Sequence, residues 1–219
     1  MEYGKEELVA EMTSAFLCGH ASIESSTIEN QAAYIDGWRR AIKKDSKIIA
    51  VFSAPLTIQN GKKRSLTDVV LEQGRNAEKG ISPTLDAVKL CYQKILEFVN
   101  SENKKECQEI IDSLIKKAES SLNEALVKRE FADEIRSRSL AFSGEILMAN
   151  IMNYILRSNG LKTDAVNYDD WPIITDNNIE STNFLAAKSR ERLDKTSKLL
   201  EENEVVTIGG FIGKTLDGV

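Results

Sequence analysis

Three short segments of the chain combine hydroxyl, glycine and carboxylate groups. They are Ser53-Ala54-Pro55, Ser143-Gly144-Glu145 and Gly209-Gly210-Phe211-Ile212-Gly213. Backbone amides at glycine-rich strand ends can surround phosphate groups, and phosphoryl transfer depends on such positioning and charge neutralisation rather than on covalent help. The segments would therefore suit a phosphoryl-transfer site, provided that the fold brings them together.

Each segment also has a purely structural interpretation. Ser53-Ala54-Pro55 can be a turn after a strand, and Glu145 can be a first-turn carboxylate that the helix dipole favours. The glycine-rich segment at 209–213 can be a hairpin turn. The functional interpretation therefore depends on the ordered set of three rather than on any one of them.

The residues around the first segment predict that it follows a buried strand. Residues 47–52 are short, apolar and β-branched, and they lead directly into Ser53. Residues 59–64 are predicted to form a turn-forming loop, in which the basic cluster at 62–64 is solvated.

A helix start follows this loop. Ser65 or Thr67 can act as its N-cap, and Asp68 is favoured in its first turn by the helix dipole. We expect this helix start to contribute to function.

Three later stretches repeat apolar residues at helical spacing. In chain order they are Leu85-Val88-Tyr92-Ile95-Val99, Cys107-Ile110-Ile111-Leu114-Ala118-Leu122-Leu126 and Ile146-Leu147-Ile151-Ile155-Leu156. The first two helices are expected to pack against each other. The third is expected to end at Asn159-Gly160, which is a typical C-terminal capping pair.

The last part of the chain alternates short strands with one charged helix. Strands are predicted at 165–168, 173–175 and 205–208, and the helix at about 184–203. This alternation of strands and long helices predicts an α/β fold with a largely parallel sheet.

Composition excludes several classes of function. Hydrophobic residues make up 42% and charged residues 29% of the 219 residues, which is typical of a globular protein rather than a disordered one. The chain carries 29 basic against 34 acidic residues, and its net charge of −5 argues against nucleic-acid binding. No apolar run approaches the roughly 20 residues that span a bilayer, so no membrane association is expected.

The cysteines and the first residues favour a cytoplasmic protein. Cys18, Cys91 and Cys107 are odd in number and widely spaced, which is typical of reduced thiols that fill core or surface positions. The N-terminus is acidic and lacks the basic start and apolar stretch of an export signal, so no export is expected.

From Lys47 onward the chain resembles the catalytic domain of aspartokinases, within the amino-acid kinase family. The resemblance rests on the order and spacing of the three segments, the Leu66-Thr67-Asp68 helix start and the segment Asp170 to Asp176. It implies a three-layer αβα sandwich and ATP-dependent phosphorylation of the aspartate side chain in amino-acid biosynthesis. ATP with Mg²⁺ is the implied cofactor.

The resemblance also implies roles for individual residues. Glu145 would bind the α-ammonium group of aspartate, Thr67 would contact the substrate through its hydroxyl, and Phe211 would line the amino-acid pocket. Ser53 and Gly209-Gly210 would lie near the phosphates. It assigns no catalytic residue and no metal ligand.

Two elements of the family pattern are not found in this sequence. The family begins with a strand that ends in Lys-x-Gly-Gly, but no such motif precedes Lys47, and Gly-Arg-Gly-Gly-Ser-Asp does not occur before Val219. We therefore expect the amino-acid side of the site to be present and its phosphate side to be incomplete. The missing phosphate-side motifs argue against catalysis by this chain alone.

Residues 1–45 resemble a different family, the end of the zincin-like metallopeptidase domain in antirestriction and plasmid-primase proteins. That resemblance implies Glu7 as a zinc ligand and Glu11 as a carboxylate that orients a histidine. The chain has a single histidine, His20, so a His-Glu-x-x-His zinc site cannot form. We predict a helical segment over 1–45 and a partial amino-acid kinase-like domain over 46–219.

Two alternatives to the kinase remain. The chain can be a non-catalytic module that binds an amino acid or mediates assembly, or it can be a remnant of a metallopeptidase. Unpaired strand edges also predict that the protein forms a homo-oligomer.

Overall fold

Strands and helices alternate along the described part of the chain, which comprises residues 47–59, 61–178 and 181–218 of a computed structural model. In chain order the elements are β1 Ile48–Phe52, β2 Leu56–Gln59, β3 Lys62–Ser65, α1 Leu66–Glu78, α2 Asp86–Leu96, α3 Ser101–Lys128, α4 Asp133–Ser143, α5 Glu145–Ser158, β4 Thr163–Ala165, β5 Ile174–Thr175, α6 Ala186–Glu202, β6 Val205–Gly209 and β7 Lys214–Thr215. The helix predicted within 1–45 lies outside the described residues.

The main sheet is parallel and has β6 at its centre, in the order β1-β6-β4. Ile48 lies opposite Val205 and Phe52 lies opposite Gly209, so β1 and β6 end at the same edge of the sheet. All five residues of β6 are buried. An almost continuous apolar strand of this kind is expected where a parallel sheet is covered on both faces.

Helices cover this sheet, and both α5 and α6 contact β6. The chain thus forms the predicted three-layer αβα sandwich with a mainly parallel sheet. One large hydrophobic core joins the sheet to α1, α2, α3 and α5. Within the described ranges, no helix combines the length and the apolar character that crossing a membrane requires.

The strand β1 has two unequal faces. Ala50 and Phe52 are buried in the core, whereas Ile49 and Val51 are 41% and 40% exposed. Successive side chains of a strand point to opposite faces, so the alternation follows from the strand itself.

The loop predicted at 59–64 was wrong in part, because β2 and β3 form an antiparallel hairpin there. Lys62, Lys63 and Arg64 belong to β3 rather than to a loop. Arg64 is half-exposed and pairs with Glu72 on α1 at 2.7 Å. A strand that carries three consecutive basic residues lacks the apolar alternation by which strands are recognised in a sequence.

The helices predicted from Ser65 onward are present, and one helix that was not predicted lies among them. Ser65 caps α1, since its hydroxyl accepts the N–H of Thr67 at 3.1 Å. An ion pair of 2.6 Å between Lys89 and Glu119 joins α2 to α3, which pack together as predicted. The prediction did not include α4, which begins at Asp133.

The strand predicted at 165–168 was displaced along the chain. The structure has β4 at Thr163–Ala165 and a short 3₁₀ helix at Tyr168–Asp170. Asn167 is the N-cap of the 3₁₀ helix, and its side chain accepts the N–H of Asp169 at 3.0 Å. Local capping by an asparagine therefore ends the extended segment earlier than its apolar residues indicate.

Candidate functional site

The three segments that contain hydroxyl, glycine and carboxylate groups meet at the carboxyl ends of β1 and β6. The N–H of Gly210 donates to the carbonyl of Phe52 at 2.8 Å, which joins the segment after β6 to the end of β1. Ligands of open α/β sheets bind in crevices at this edge. Ala54 lies against Gly144, and Gly209 lies against Glu145, so the fold brings the three segments together.

Gly209 lies directly against the first turn of α5. A Cβ atom added to Gly209 would lie 3.0 Å from the Cβ of Glu145 and 2.9 Å from its carbonyl carbon. Real Cβ atoms do not tolerate such contacts with backbone, so only glycine lets α5 approach β6 this closely. This glycine has a packing role that fixes the position of Glu145.

Glu145 is partly buried at the start of α5. Burial raises the pKa of its carboxyl group, and hydrogen bonds from the backbone N–H groups of Glu145 and Ala54 partly offset that rise. The N-terminal end of a helix also favours a negative charge. The result is a single carboxylate, held at the edge of the sheet, whose natural partner is a cation such as an ammonium group.

Tyr92 holds the junction from which Glu145 projects. Its hydroxyl lies 3.1 Å from the carbonyl oxygen of Ser143 and 3.0 Å from that of Gly144, and the side chain is fully buried. Burial raises its pKa well above the usual value, so the hydroxyl stays protonated as a donor. Sequence reasoning assigned Tyr92 to the core and missed this role, although a tyrosine among aliphatic residues needs a partner for its hydroxyl.

The helix α1 begins close to the end of β1. The N–H of Leu66 donates to the carbonyl of Pro55 at 3.1 Å, so the first turn of α1 is joined to the segment that follows β1. Thr67 occupies this turn and is partly buried. Its backbone is fixed by the Ser65 cap, whereas its hydroxyl has no hydrogen-bond partner among the described residues.

Phe211 differs from the other predicted site residues because its side chain is 97% exposed. Its backbone has a positive φ of 56°. The next residue, Ile212, is fixed by Trp171, whose indole Nε1–H donates to its carbonyl at 3.0 Å. The structure therefore holds the backbone of this segment while the ring of Phe211 makes little contact with the protein.

The groups predicted to lie near phosphates differ in what they can donate. The Gly210 N–H is already bonded to Phe52, so it has no proton to offer a ligand. The Ser53 hydroxyl has no hydrogen-bond partner within the described ranges, and its oxygen lies 4.0 Å from where a Cβ of Gly210 would be. Ser53 is therefore the available donor of this group.

Asp176, in the segment that contributes to the family resemblance, closes a loop. Its carboxylate accepts the backbone N–H of Asn183 at 3.1 Å and the side-chain amide of the same residue at 2.7 Å. These bonds lower the pKa of Asp176. Its contacts here are those of a loop anchor.

Residues predicted from the metallopeptidase resemblance, Glu7, Glu11 and His20, lie outside the described residues. Within those that are described, no group of three or more His, Cys, Asp or Glu side chains is placed to hold a metal ion. Cys91 and Cys107 are buried and form no disulfide among the described residues, in agreement with their expected role as fillers.

Comparison with protein families shows that residues 1–55 match a zincin-like metallopeptidase family. The match covers a quarter of the chain and agrees with the resemblance noted for the first residues. It extends past the boundary predicted at residue 45 and includes β1 and Ser53-Ala54-Pro55.

Comparison with solved structures gives aspartokinases. Aspartokinase III of E. coli is similar both in its complex with lysine and aspartate (17% identity, TM-score 0.59) and in its complex with aspartate and ADP (18%, 0.60). The aspartate kinase of Clostridium acetobutylicum is similar with 22% identity and a TM-score of 0.53.

These similarities cover 85% of this chain and only 37–39% of the aspartokinase chains. The chain therefore spans about two fifths of the length of these enzymes. At such low identity the comparison shows that the folds are shared.

Proposed function

We propose that this chain contributes the aspartate-binding part of a kinase catalytic domain that uses ATP to phosphorylate the side-chain carboxylate of aspartate. The observation that supports this most strongly is the position of Glu145. Its carboxylate lies beside the backbone of Ala54 at the edge of an aspartokinase-like sheet, and its own backbone and Cβ pack against Gly209. The proposed enzyme acts in amino-acid biosynthesis in the cytoplasm.

In this proposal the Glu145 carboxylate binds the α-ammonium group of aspartate. The Thr67 hydroxyl, which has no partner among the described residues, donates to the substrate. Phe211 lines the amino-acid pocket with its exposed ring, on a backbone that Trp171 holds at the next residue, Ile212. These three residues define substrate binding.

The described residues fit the phosphate side of such a site only in part. Within the described ranges the Ser53 hydroxyl has no partner and can donate to a phosphate oxygen, and Gly210 places no side chain beside it. The Gly210 N–H, however, is used by Phe52. Phosphoryl transfer also needs cations to neutralise the phosphate charge, and Mg²⁺ with ATP would supply this when bound.

A second candidate is a non-catalytic module that binds an amino acid. The occupied amide of Gly210 favours this alternative, since it removes one of the donors expected for a nucleotide phosphate. Both candidates predict aspartate binding, and only the kinase predicts an effect of ATP.

Self-association is a separate proposal. Ile49 and Val51 leave apolar surface on one face of β1, and apolar surface of this kind favours contact with a second copy. Light scattering over a range of concentrations tests it, and a monomer at the highest concentration would count against a homo-oligomer.

Isothermal titration with L-aspartate, followed by Mg-ATP, distinguishes the two main candidates. Binding of both ligands together with formation of aspartyl phosphate, trapped as its hydroxamate, supports the kinase. Aspartate binding without a response to ATP supports the binding module. Absence of aspartate binding contradicts both.

A variant pair tests the assignment of Glu145. Glu145→Ala should weaken aspartate binding by about 1.5–3 kcal/mol, the usual contribution of a hydrogen bond to a charged group. Glu109→Ala is the control, because Glu109 is an exposed helical glutamate on α3. Equal affinities in the two variants would remove Glu145 from the binding site.

A further inference from the structure

A second cleft opens on another part of the sheet, between the carboxyl end of β4 and the helix α6. Its volume is about 410 Å³, which lies in the range of small-molecule sites. Asp164, Asn167 and Asp170 line one side, and Lys195, Thr196 and Lys198 on α6 line the other. It shares no lining residue with the Glu145 site.

Thr196 is the unusual member of this cleft. Its side chain is 4% exposed, and its hydroxyl has no hydrogen-bond partner in the described part of the chain. Buried polar groups are almost always bonded, so an orphan hydroxyl in a cleft wall points to a missing partner.

The buried serines of the described residues, unlike Thr196, all have a hydrogen-bond partner for their hydroxyl. The hydroxyls of Ser121, Ser139 and Ser143 each donate to the carbonyl four residues earlier in their own helix. Ser189 lies two turns before Thr196 on α6 and is bonded to the N–H of Ile174 at 2.8 Å. The Thr196 hydroxyl bonds neither the carbonyl four residues earlier in its helix nor a group of a neighbouring strand, among the described residues.

The cleft is lined by both acidic and basic side chains. Asp170 forms an ion pair with Lys195. Asp164 accepts only the N–H of Ala165 at 2.8 Å, and neither it nor Lys198 has an ion-pair partner among the described residues. Among the described residues, one carboxylate on β4 and one ammonium group on α6 therefore line the cleft without an ion-pair partner.

The rest of the lining is apolar. Ala165 and Leu199 are partly buried there, and Val166 is 3% exposed. A ligand that matches all of these groups carries an ammonium, a carboxylate and a short apolar side chain.

We propose that the cleft between β4 and α6 binds a neutral aliphatic α-amino acid. Its ammonium group pairs with Asp164, its carboxylate pairs with Lys198, and the Thr196 hydroxyl bonds its polar head. Its side chain packs on Leu199. This site is independent of the proposed kinase function, since it uses none of the same residues.

L-leucine is the probe, and its binding to the full chain is measured by isothermal titration. We expect saturable binding with a Kd below about 1 mM. The same titration uses 3-methylbutylamine and 4-methylpentanoate, which lack the carboxylate and the amino group respectively. Each should bind at least about tenfold more weakly than L-leucine, because each loses one charge-assisted bond.

Thr196→Val tests the orphan hydroxyl. It should weaken L-leucine binding at least about tenfold while leaving thermal stability equal or higher, since no existing hydrogen bond is lost. Ser189→Ala is the matched control on the same helix. It should lower stability, because Ile174 loses its partner, yet keep L-leucine affinity within about twofold.

Two charge variants test the orientation of the ligand. Asp164→Asn keeps the acceptor for Ala165 and removes the charge, and Lys198→Met removes the ammonium group. Each should weaken L-leucine binding at least about tenfold. Lys188→Met, elsewhere on α6, should have no effect.

Three results would overturn the proposal. They are no L-leucine binding at about 10 mM, unchanged affinity in Thr196→Val or Asp164→Asn, and equal binding of 4-methylpentanoate, which would indicate a simple anion site. Glu145→Ala should not change L-leucine affinity. A protein that does not bind aspartate would therefore still be expected to bind L-leucine in this cleft.

Discussion

Gly209 lies so close to Glu145 that the two residues would collide if Gly209 carried a side chain, with 3.0 Å between the two Cβ atoms. The contact joins the end of the central strand β6 to the first turn of α5. The position of the Glu145 carboxylate therefore depends on a glycine in a different element of the fold.

Gly209→Ala is expected to destabilise the protein by about 1–3 kcal/mol, the usual effect of overpacking, and to weaken aspartate binding because α5 must shift. Urea denaturation and titration calorimetry measure the two effects. Gly160→Ala is the control, because Gly160 has open space around it and strain only from its φ of +81°. That control should lose stability and keep its affinity. Wild-type affinity in Gly209→Ala would contradict the prediction.

Glu145→Gln is expected to be at least as stable as the wild type at pH 7. Burial raises the pKa of Glu145, so the folded state binds its proton more tightly than the unfolded state, whose value is near 4.5. Wild-type stability therefore falls as pH rises from 4.5 to the raised pKa, and the glutamine variant lacks this loss. Aspartate binding by the wild type should rise over the same pH range.

Denaturant titrations of both proteins between pH 4 and 8 test this, with Glu109→Gln as an exposed control. A glutamine variant that is less stable than the wild type at pH 7 would mean that the ionised carboxylate stabilises the fold.

Tyr92→Phe is expected to cost about 1–3 kcal/mol, because the carbonyls of Ser143 and Gly144 lose their buried donor. Aspartate affinity should fall as well, since these carbonyls belong to the junction that positions Glu145. Tyr154→Phe is the comparison, because the Tyr154 hydroxyl bonds the exposed Glu106 and its loss should cost less. Equal costs in the two variants would argue against a special role for Tyr92.

Cys91 and Cys107 are expected to resist thiol reagents in the folded protein at pH 8. Burial raises the pKa of Cys91 to about 11 and that of Cys107 to about 12, and only the thiolate reacts. Reaction with Ellman's reagent in a Cys18→Ser background should need denaturant.

The same shifts predict a loss of stability in alkali. The unfolded thiols ionise from about pH 9 while the folded ones keep their protons, so the free energy of unfolding falls from pH 9 towards 11. Rapid modification of native protein at pH 8 would show that the thiols are accessible.

The sequence predicted the parts of the fold that have a clear apolar period. The strand β1, the Ser65 cap and the end of α5 near Asn159 lie where expected. The hairpin β2-β3 was missed, because its second strand is basic and is defined by pairing rather than by burial. The helix α4 was missed because its buried face includes Ser139, a polar residue that interrupts the apolar repeat. In the structure the Ser139 hydroxyl donates to a carbonyl of its own helix, which allows it to be buried.

The sequence indicated which segments could form the site, but not which of their hydrogen-bonding groups are available to a ligand. Strand order alone brings the ends of β1 and β6 together. Whether the N–H of a residue such as Gly210 can bond a ligand depends on the register between β1 and β6. That register cannot be read from the sequence of one strand alone. The exposure of Phe211 has the same origin, since the position of a loop side chain follows from neighbours that sequence does not identify.

The pairing of β1 with β6 joins residues near 48 to residues near 205, and this separation sets an order of assembly during synthesis. Helices α1 to α5 make contacts close in sequence and can form as they leave the ribosome. The edge at which Glu145 lies is complete only when β6 arrives. An amino acid that binds at this edge therefore stabilises only chains in which β6 is in place.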